Sequence, residues 1–235
     1  DGNLMYTKNN DGNDYLVLYK DNKGNRTTYL EASLTYENLF ANAHRVGGLF
    51  LFNMREKTDN FPDSYIMSLP YRNQGIAGRV TYSYKDRYFI EGSFRVDGST
   101  KFHPDNRWGF FPTASASWVL SNESFFKNWD QPILSNVKFR GSVGILGDDG
   151  AIDDYSYLMK YMYVARQGYN IGGALKPGIV MDTTNFPNPE LKWGQSRTYN
   201  LATDLGFWGN RFGLSFEYYW RYNTNMITIA PSYLY

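Results

Sequence analysis

From Ile76 to Lys85 the chain alternates without a break. Ile76, Gly78, Val80, Tyr82 and Tyr84 fall on one side of an extended backbone, and Ala77, Arg79, Thr81, Ser83 and Lys85 on the other. Period two is the signature of a strand with one apolar and one polar face. The pattern returns in residues 87–97, 108–120, 137–145 and 211–223. Further candidate strands are 13–20, 27–39, 43–55, 157–166 and 196–208, which makes about ten in all. The 43–55 run is less regular, because Leu49 and Leu51 fall opposite Val46, Phe50 and Phe52. A strand of a soluble protein is about 5 to 6 residues long. A tilted transmembrane strand needs roughly 9 to 11, and these runs reach or pass that length.

The connections alternate as well. Residues 41–43, Lys85–Asp86 and Gly209–Asn210 read as tight turns, whereas 56–73, 98–106 and 147–195 are long. If the strands run up and down, the long links gather at one end and the short ones at the other. Outer-membrane barrels show this asymmetry, with short periplasmic turns and longer extracellular loops. The 121–135 link is the exception on the short side. Asn122 there is expected to cap one turn of helix.

Composition agrees. Aromatic residues make up 18% of the 235, with 21 Tyr, 16 Phe and 6 Trp, and Gly numbers 22. Barrels carry aromatic girdles at both membrane interfaces. No apolar run approaches the roughly 18 residues of a spanning helix, and no signal peptide opens the chain. With Asp rather than Met at position 1, the chain is expected to begin inside a longer protein. A net charge of +1 provides no basic surface for nucleic acid. The absence of Cys excludes disulfides, thiolate metal sites and a Cys nucleophile. The two His, His44 and His103, make a His-rich metal centre unexpected. No nucleophile elbow, P-loop or dinucleotide fingerprint occurs, so the chain is not expected to be an enzyme.

Three segments carry a resemblance. The first runs from Tyr84 to Phe102 and contains Arg95, Asp97, Gly98 and Ser99; it leads to Arg107–Trp118 with Trp108 and Pro112. The second is Glu123-Ser-Phe-Phe126, leading to Asn136–Gly144. The third is Asn188-Pro189-Glu-Leu191-Lys-Trp193, then Thr198–Gly206, then Asn210–Tyr219. In this order they resemble the C-terminal half of the barrel of SusC/RagA-type TonB-dependent transporters of Bacteroidetes, specifically across 74–225. The resemblance implies an all-β, antiparallel, up-and-down transmembrane barrel, of which residues 1–235 are about ten strands. The full barrel would have 22 strands, as plugged transporters do. The plug, the N-terminal TonB-contacting region and the final strands would lie outside this chain, and 147–195 would be a long extracellular loop. Implied partners are the lipid bilayer, the rest of the barrel and plug, a SusD-like lid lipoprotein, and TonB. The implied activity is energised import of oligosaccharides or peptides. Two other readings stay open: a client polypeptide held by a barrel-assembly or secretion machine, and a soluble carbohydrate-binding β-protein.

Each candidate site has a simpler structural reading. Arg95, Asp97, Gly98, Ser99 and Lys101 read as strand-exit chemistry with Arg–Asp pairing in the wall. The other motif residues, Phe102, Trp108, Pro112, Asn188, Pro189, Leu191 and Trp193, are likewise expected to be structural. Asp148, Asp149, Gly150, Asp153 and Asp154 offer carboxylates to a hard cation such as Ca²⁺, but their spacing is not that of an EF-hand. A solvated acidic loop is the simpler reading. Glu31, Glu37, Glu91 and Glu217 fall on polar faces, as a water-filled lumen requires. Trp118, Trp208, Tyr218, Trp220 and Tyr222 fit an interfacial girdle. Tyr161, Tyr163 and Tyr169, in the long loop, are the candidates for contact with cargo.

Overall fold

The computed structural model describes residues 23–62, 65–129, 133–150, 152–164, 170–171, 174–175, 178–181 and 187–226. The strands in chain order are β1 (Asn25–Phe40), β2 (His44–Asp59), β3 (Tyr71–Tyr84), β4 (Tyr88–Ser99), β5 (Trp108–Val119) and β6 (Leu134–Asp148). Four short strands follow, β7 (Tyr161–Val164), β8 (Asn170–Ile171), β9 (Ala174–Leu175) and β10 (Gly178–Met181). The chain then returns to β11 (Gly194–Phe207) and β12 (Phe212–Thr224). Eight strands form one antiparallel sheet in the order β1-β2-β3-β4-β5-β6-β11-β12. Each pairs with its neighbour in sequence, apart from the loop inserted between β6 and β11.

Register makes the two faces continuous across all eight strands. Gly48, Val80, Gly92, Ala114 and Val143 stand in one row, and Tyr199 and Trp220 extend it. This face is apolar and open: Leu34, Val80, Phe216 and Tyr218 are between 61% and 72% exposed. So large an unburied apolar surface is foreign to a water-soluble monomer. On the opposite face stand Glu37, Arg45, Thr81, Glu91, Ser115, Arg140 and Asn200. Leu49 and Leu51 lie on this polar face too, as their alternation predicts.

The apolar face has the height of a bilayer. Its lower edge is marked by Tyr88 stacked on Trp118, ring centroids 6.3 Å apart. Its upper edge is marked by Trp108 beside Gly98, ten residues further along each strand. Ten residues at about 3.3 Å each span about 33 Å. At a strand tilt of about 40° that is about 25 Å of vertical rise, the height of an outer-membrane apolar band.

Strands β1 and β2 run to 16 residues each, longer than their sequence pattern indicates, and rise past this band on the long-loop side. Residues 157–166 do not form a ninth wall strand. Among their described residues only Tyr161–Val164 is extended, and it pairs with Gly178–Met181 in a separate two-stranded sheet. The 13–20 run lies outside the described residues. Asp97, Gly98 and Ser99 are not in an exit turn: β4 continues through Ser99, because Gly98 and Asp97 still find partners in Trp108 and Gly109.

The short turns adopt left-handed backbone at Ala41 and Asn42, at Lys85 and Asp86, and at Trp208, Gly209 and Asn210. Consecutive positive φ values match the right-handed twist of the flanking strands. The β5–β6 link holds a 3₁₀ turn at Leu120–Asn122 and a helical turn, α1, at Ser124–Lys127. Asn122 does not cap α1. Its side chain instead donates to the Asp86 carbonyl at 2.6 Å, tying the link to the β3–β4 turn. Glu123 occupies the cap position with no side-chain cap bond. Its carboxylate is turned to Arg87 at 3.0 Å and to the Trp118 indole at 3.2 Å.

Candidate functional site

The polar face is a curved wall of paired charges. Arg140 on β6 donates twice to Asp204 on β11, at 2.8 and 3.0 Å, and the Ser215 hydroxyl on β12 donates to the same carboxylate at 2.8 Å. Arg95 clasps Asp97 on its own strand at 2.9 and 2.6 Å, and reaches Asn53 at 3.4 Å. Glu37 lies 3.7 Å from Arg45. Glu31 accepts from the Tyr29 hydroxyl and Glu217 from the Asn200 amide. These pairs are water-exposed, so each is worth only about 0.2–1 kcal/mol. Their effect is to hold a wettable wall near neutrality. Near the short-turn end the wall encloses a trough of about 420 Å³ lined by Arg45, Glu91, Lys138, Arg140 and Asn200.

At the long-loop end the inner side is closed by an apolar cluster. Phe102 is fully buried, and Phe111, Ile152 and Trp193 are 5–9% exposed. Trp193 stacks on Phe102 at 4.9 Å and meets Phe111 edge-on at 5.4 Å. Its indole N–H donates to the Arg107 carbonyl at 2.9 Å. Leu191 packs against the cluster. The Pro189 carbonyl accepts from the Asn106 side chain at 3.1 Å, and the Asn188 amide donates to the Ser156 carbonyl at 3.2 Å. Two motif segments some ninety residues apart therefore meet to lock the loops together.

Phe111 can lie in this cluster only because glycines face it. A Cβ on Gly109 or on Gly147 would clash with the edge of the Phe111 ring. Sequence reading passed over Phe111, Ile152 and the Arg140–Asp204 pair. One signal was available: Phe111 shares its alternation with Thr113, Ser115 and Ser117, an aromatic on a polar face.

The remaining motif residues sit in the wall. Ser99 is 1% exposed at the end of β4. Trp108 lies over Gly98, where an added Cβ would be 2.8 Å from the ring. Pro112 stands opposite Phe94 on the outer face. Lys101 donates to the Asp149 carbonyl at 3.0 Å, and the Tyr155 hydroxyl to the Pro70 carbonyl at 2.6 Å. Burial pushes the Asp154 carboxyl and the Tyr155 phenol above their ordinary ranges.

Within the acidic loop, Asp148 accepts from the Gly150 amide at 2.8 Å, and the Asp153 carbonyl accepts from Ser156 at 2.7 Å. Among the described residues no three His, Asp or Glu side chains gather where they could hold a metal. Tyr161 is 65% exposed, its hydroxyl 2.9 Å from the Met159 sulfur. Tyr163 pairs by its backbone with Ile179. Tyr169 lies outside the described residues.

No family model matches the chain. Among curated proteins, the TonB-dependent receptor SusC of Bacteroides thetaiotaomicron is 35% identical over 154 residues, 64% of this chain and 15% of that protein. The TonB-dependent receptor P3 of Formosa agariphila is 34% identical over 144 residues, 61% of this chain and 14% of that protein. The chain thus spans about 15% of the length of the relatives it matches. Among solved structures, that of the RagAB peptide transporter superposes with a TM-score of 0.70 at 19% identity, over 88% of this chain and 25% of that one. The structural likeness establishes the barrel fold. Sequence relatives, fold and the apolar-outside, polar-inside wall agree that the chain is a barrel segment of the SusC/RagA-type TonB-dependent transporters of the bacterial outer membrane.

Proposed function

We propose that the protein containing this chain imports oligosaccharides or peptides through the outer membrane, energised through TonB. The observation that carries the reading is the wall itself: an apolar band of bilayer height backed by a continuous polar face. Such a wall separates lipid from an aqueous path, and it offers cargo hydrogen bonds rather than a reaction. The relatives supply the rest of the reading, being TonB-dependent receptors by name, while the structural neighbour is a peptide transporter. In this reading β1 and β12 continue into further strands, because unpaired strand edges cost several kcal/mol per group in hydrocarbon. A plug and the TonB-contacting region belong to the remainder of the protein, and a SusD-like lid lipoprotein is its separate partner. This segment contributes wall and extracellular loops, with Tyr161, Tyr163 and Tyr169 as candidate cargo contacts and no catalytic residue.

The test is uptake of labelled oligosaccharides and labelled peptides by cells carrying the full-length transporter, with the proton-motive force intact or collapsed. Accumulation of one class, lost on collapse and on gene deletion, is expected. Accumulation that survives both treatments would overturn the reading.

A further inference from the structure

The β5–β6 link exposes aromatic side chains at the foot of the wall. Phe125 and Trp129 are each 61% exposed. They stand four residues apart, on a stretch kept helical by backbone bonds from Lys127 to Glu123, Asn128 to Ser124 and Trp129 to Phe126. Residues four apart share a helix face, so the two rings are presented together. Phe126 beside them is turned into the protein and meets the Trp129 ring edge-on at 6.0 Å. The link thus has a buried ring of its own and still carries an apolar pair outside.

Two observations place the link on the lipid side. The Glu123 carboxylate accepts from the Trp118 indole at 3.2 Å and from the Tyr88 hydroxyl. Both of those rings belong to the lower aromatic row of the outer face. Val137 also falls on the outer face, two residues below Phe139, yet it is only 4% exposed. The chain below the row therefore folds up against the lipid-facing side and shuts Val137 in. The link hangs from the middle of the eight-stranded sheet, between the Asp86 turn, bonded to Asn122, and the Trp208 turn, bonded to Ile133. Strands added at β1 or β12 extend the sheet sideways and do not cover this foot, and whatever fills the lumen lies behind the wall. The exposed pair is continuous with the surface that already meets lipid.

Height and charge fit the bilayer surface. Glu123 is bonded to the row that closes the apolar band, so the link begins in the headgroup layer, which is roughly 5–8 Å thick. Trp129 follows six residues later, at most about 9 Å away at helical rise. The short turns mark this leaflet as the periplasmic one. Among the described residues of the link the one acid, Glu123, is paired with Arg87 at 3.0 Å, and Lys127 is exposed. A short helical element with aromatic rings and a free cation is built to lie in a membrane interface. We propose that the β5–β6 link is a membrane foot, with Phe125 and Trp129 inserted into the periplasmic phospholipid leaflet beside the aromatic row and Lys127 at the phosphates. The proposal does not depend on which cargo is imported.

The test reconstitutes the full-length transporter in vesicles of phosphatidylethanolamine and phosphatidylglycerol, doped with a phospholipid carrying a diazirine near its glycerol. After illumination, mass spectrometry assigns the lipid adducts to residues. In the wild type the 121–129 stretch is expected to be labelled within a few-fold of Tyr88 and Trp118, and several-fold more than Thr35 on the inner face. In Phe125→Ser/Trp129→Ser the adducts on the link are expected to fall several-fold while those on Tyr88 and Trp118 persist, which separates loss of insertion from loss of fold. Wild-type adducts on Tyr88 and Trp118 without any on the link overturn the proposal, as does link labelling that survives the double substitution unchanged. Labelling of the link in vesicles that vanishes in native outer membranes would assign the pair to a periplasmic protein and overturn it as well.

Discussion

Replacing Gly147 with Ala is a small change with a large expected effect. The new Cβ would clash with the edge of the Phe111 ring, which packs on Trp193 and is itself 7% exposed. The ring has little room to retreat, because a Cβ position on Gly109 meets it as well. Overpacking of this kind costs about 1–3 kcal/mol. Phe111→Ala alone removes a buried aromatic and is expected to cost about 3–5 kcal/mol. In the double variant the clash is gone and the added methyl occupies part of the space the ring vacates. The double variant should therefore be more stable than the sum of the two single effects implies, by about 1–3 kcal/mol. The assay is urea unfolding of the full-length transporter in micelles, run as a double-mutant cycle, with protease cleavage of the 149–193 loop as a local readout. Additivity within about 0.5 kcal/mol would refute the argument that Gly147 is glycine to admit the Phe111 ring.

Three further outcomes follow from the same geometry. Val80→Arg places a charge midway up the apolar face and should cost about 2–4 kcal/mol in a bilayer, whereas Thr35→Arg on the inner face should change stability by less than about 0.5 kcal/mol; urea unfolding in liposomes compares them. The Tyr88 hydroxyl, with the Trp118 indole and Arg87, holds the Glu123 carboxyl below the usual carboxylate range. A lowered folded-state pKa stabilises above the ordinary carboxylate value and loses that contribution as pH falls through the lowered one, so melting temperature should drop with acid more steeply in the wild type than in Glu123→Gln. Ala41 carries φ of 50°, and Ala41→Gly should relieve that left-handed backbone and stabilise the chain by about 0.5–1 kcal/mol, read from the urea midpoint.

Strand identity, the direction each residue faces and the sorting of loops by length were all legible in the linear chain. Alternation is local: whether Val80 and Thr81 point apart depends only on their own extended backbone. The family motifs could be read in the same way, as short strings. What no local pattern contains is which polar groups meet across the wall. Arg140 and Asp204 are 64 residues apart, and either could have paired with other charges on the same face. The direct pairing of β6 with β11 across the inserted loop sets them diagonally on the inner face, two residues off register. Tertiary assembly likewise brings Phe102 beneath Trp193 and turns Asn122 from an expected helix cap into a tether between turns. Period two assigns a residue to a face; only the curvature and register of the assembled sheet decide its neighbours, because many pairings share the same alternation.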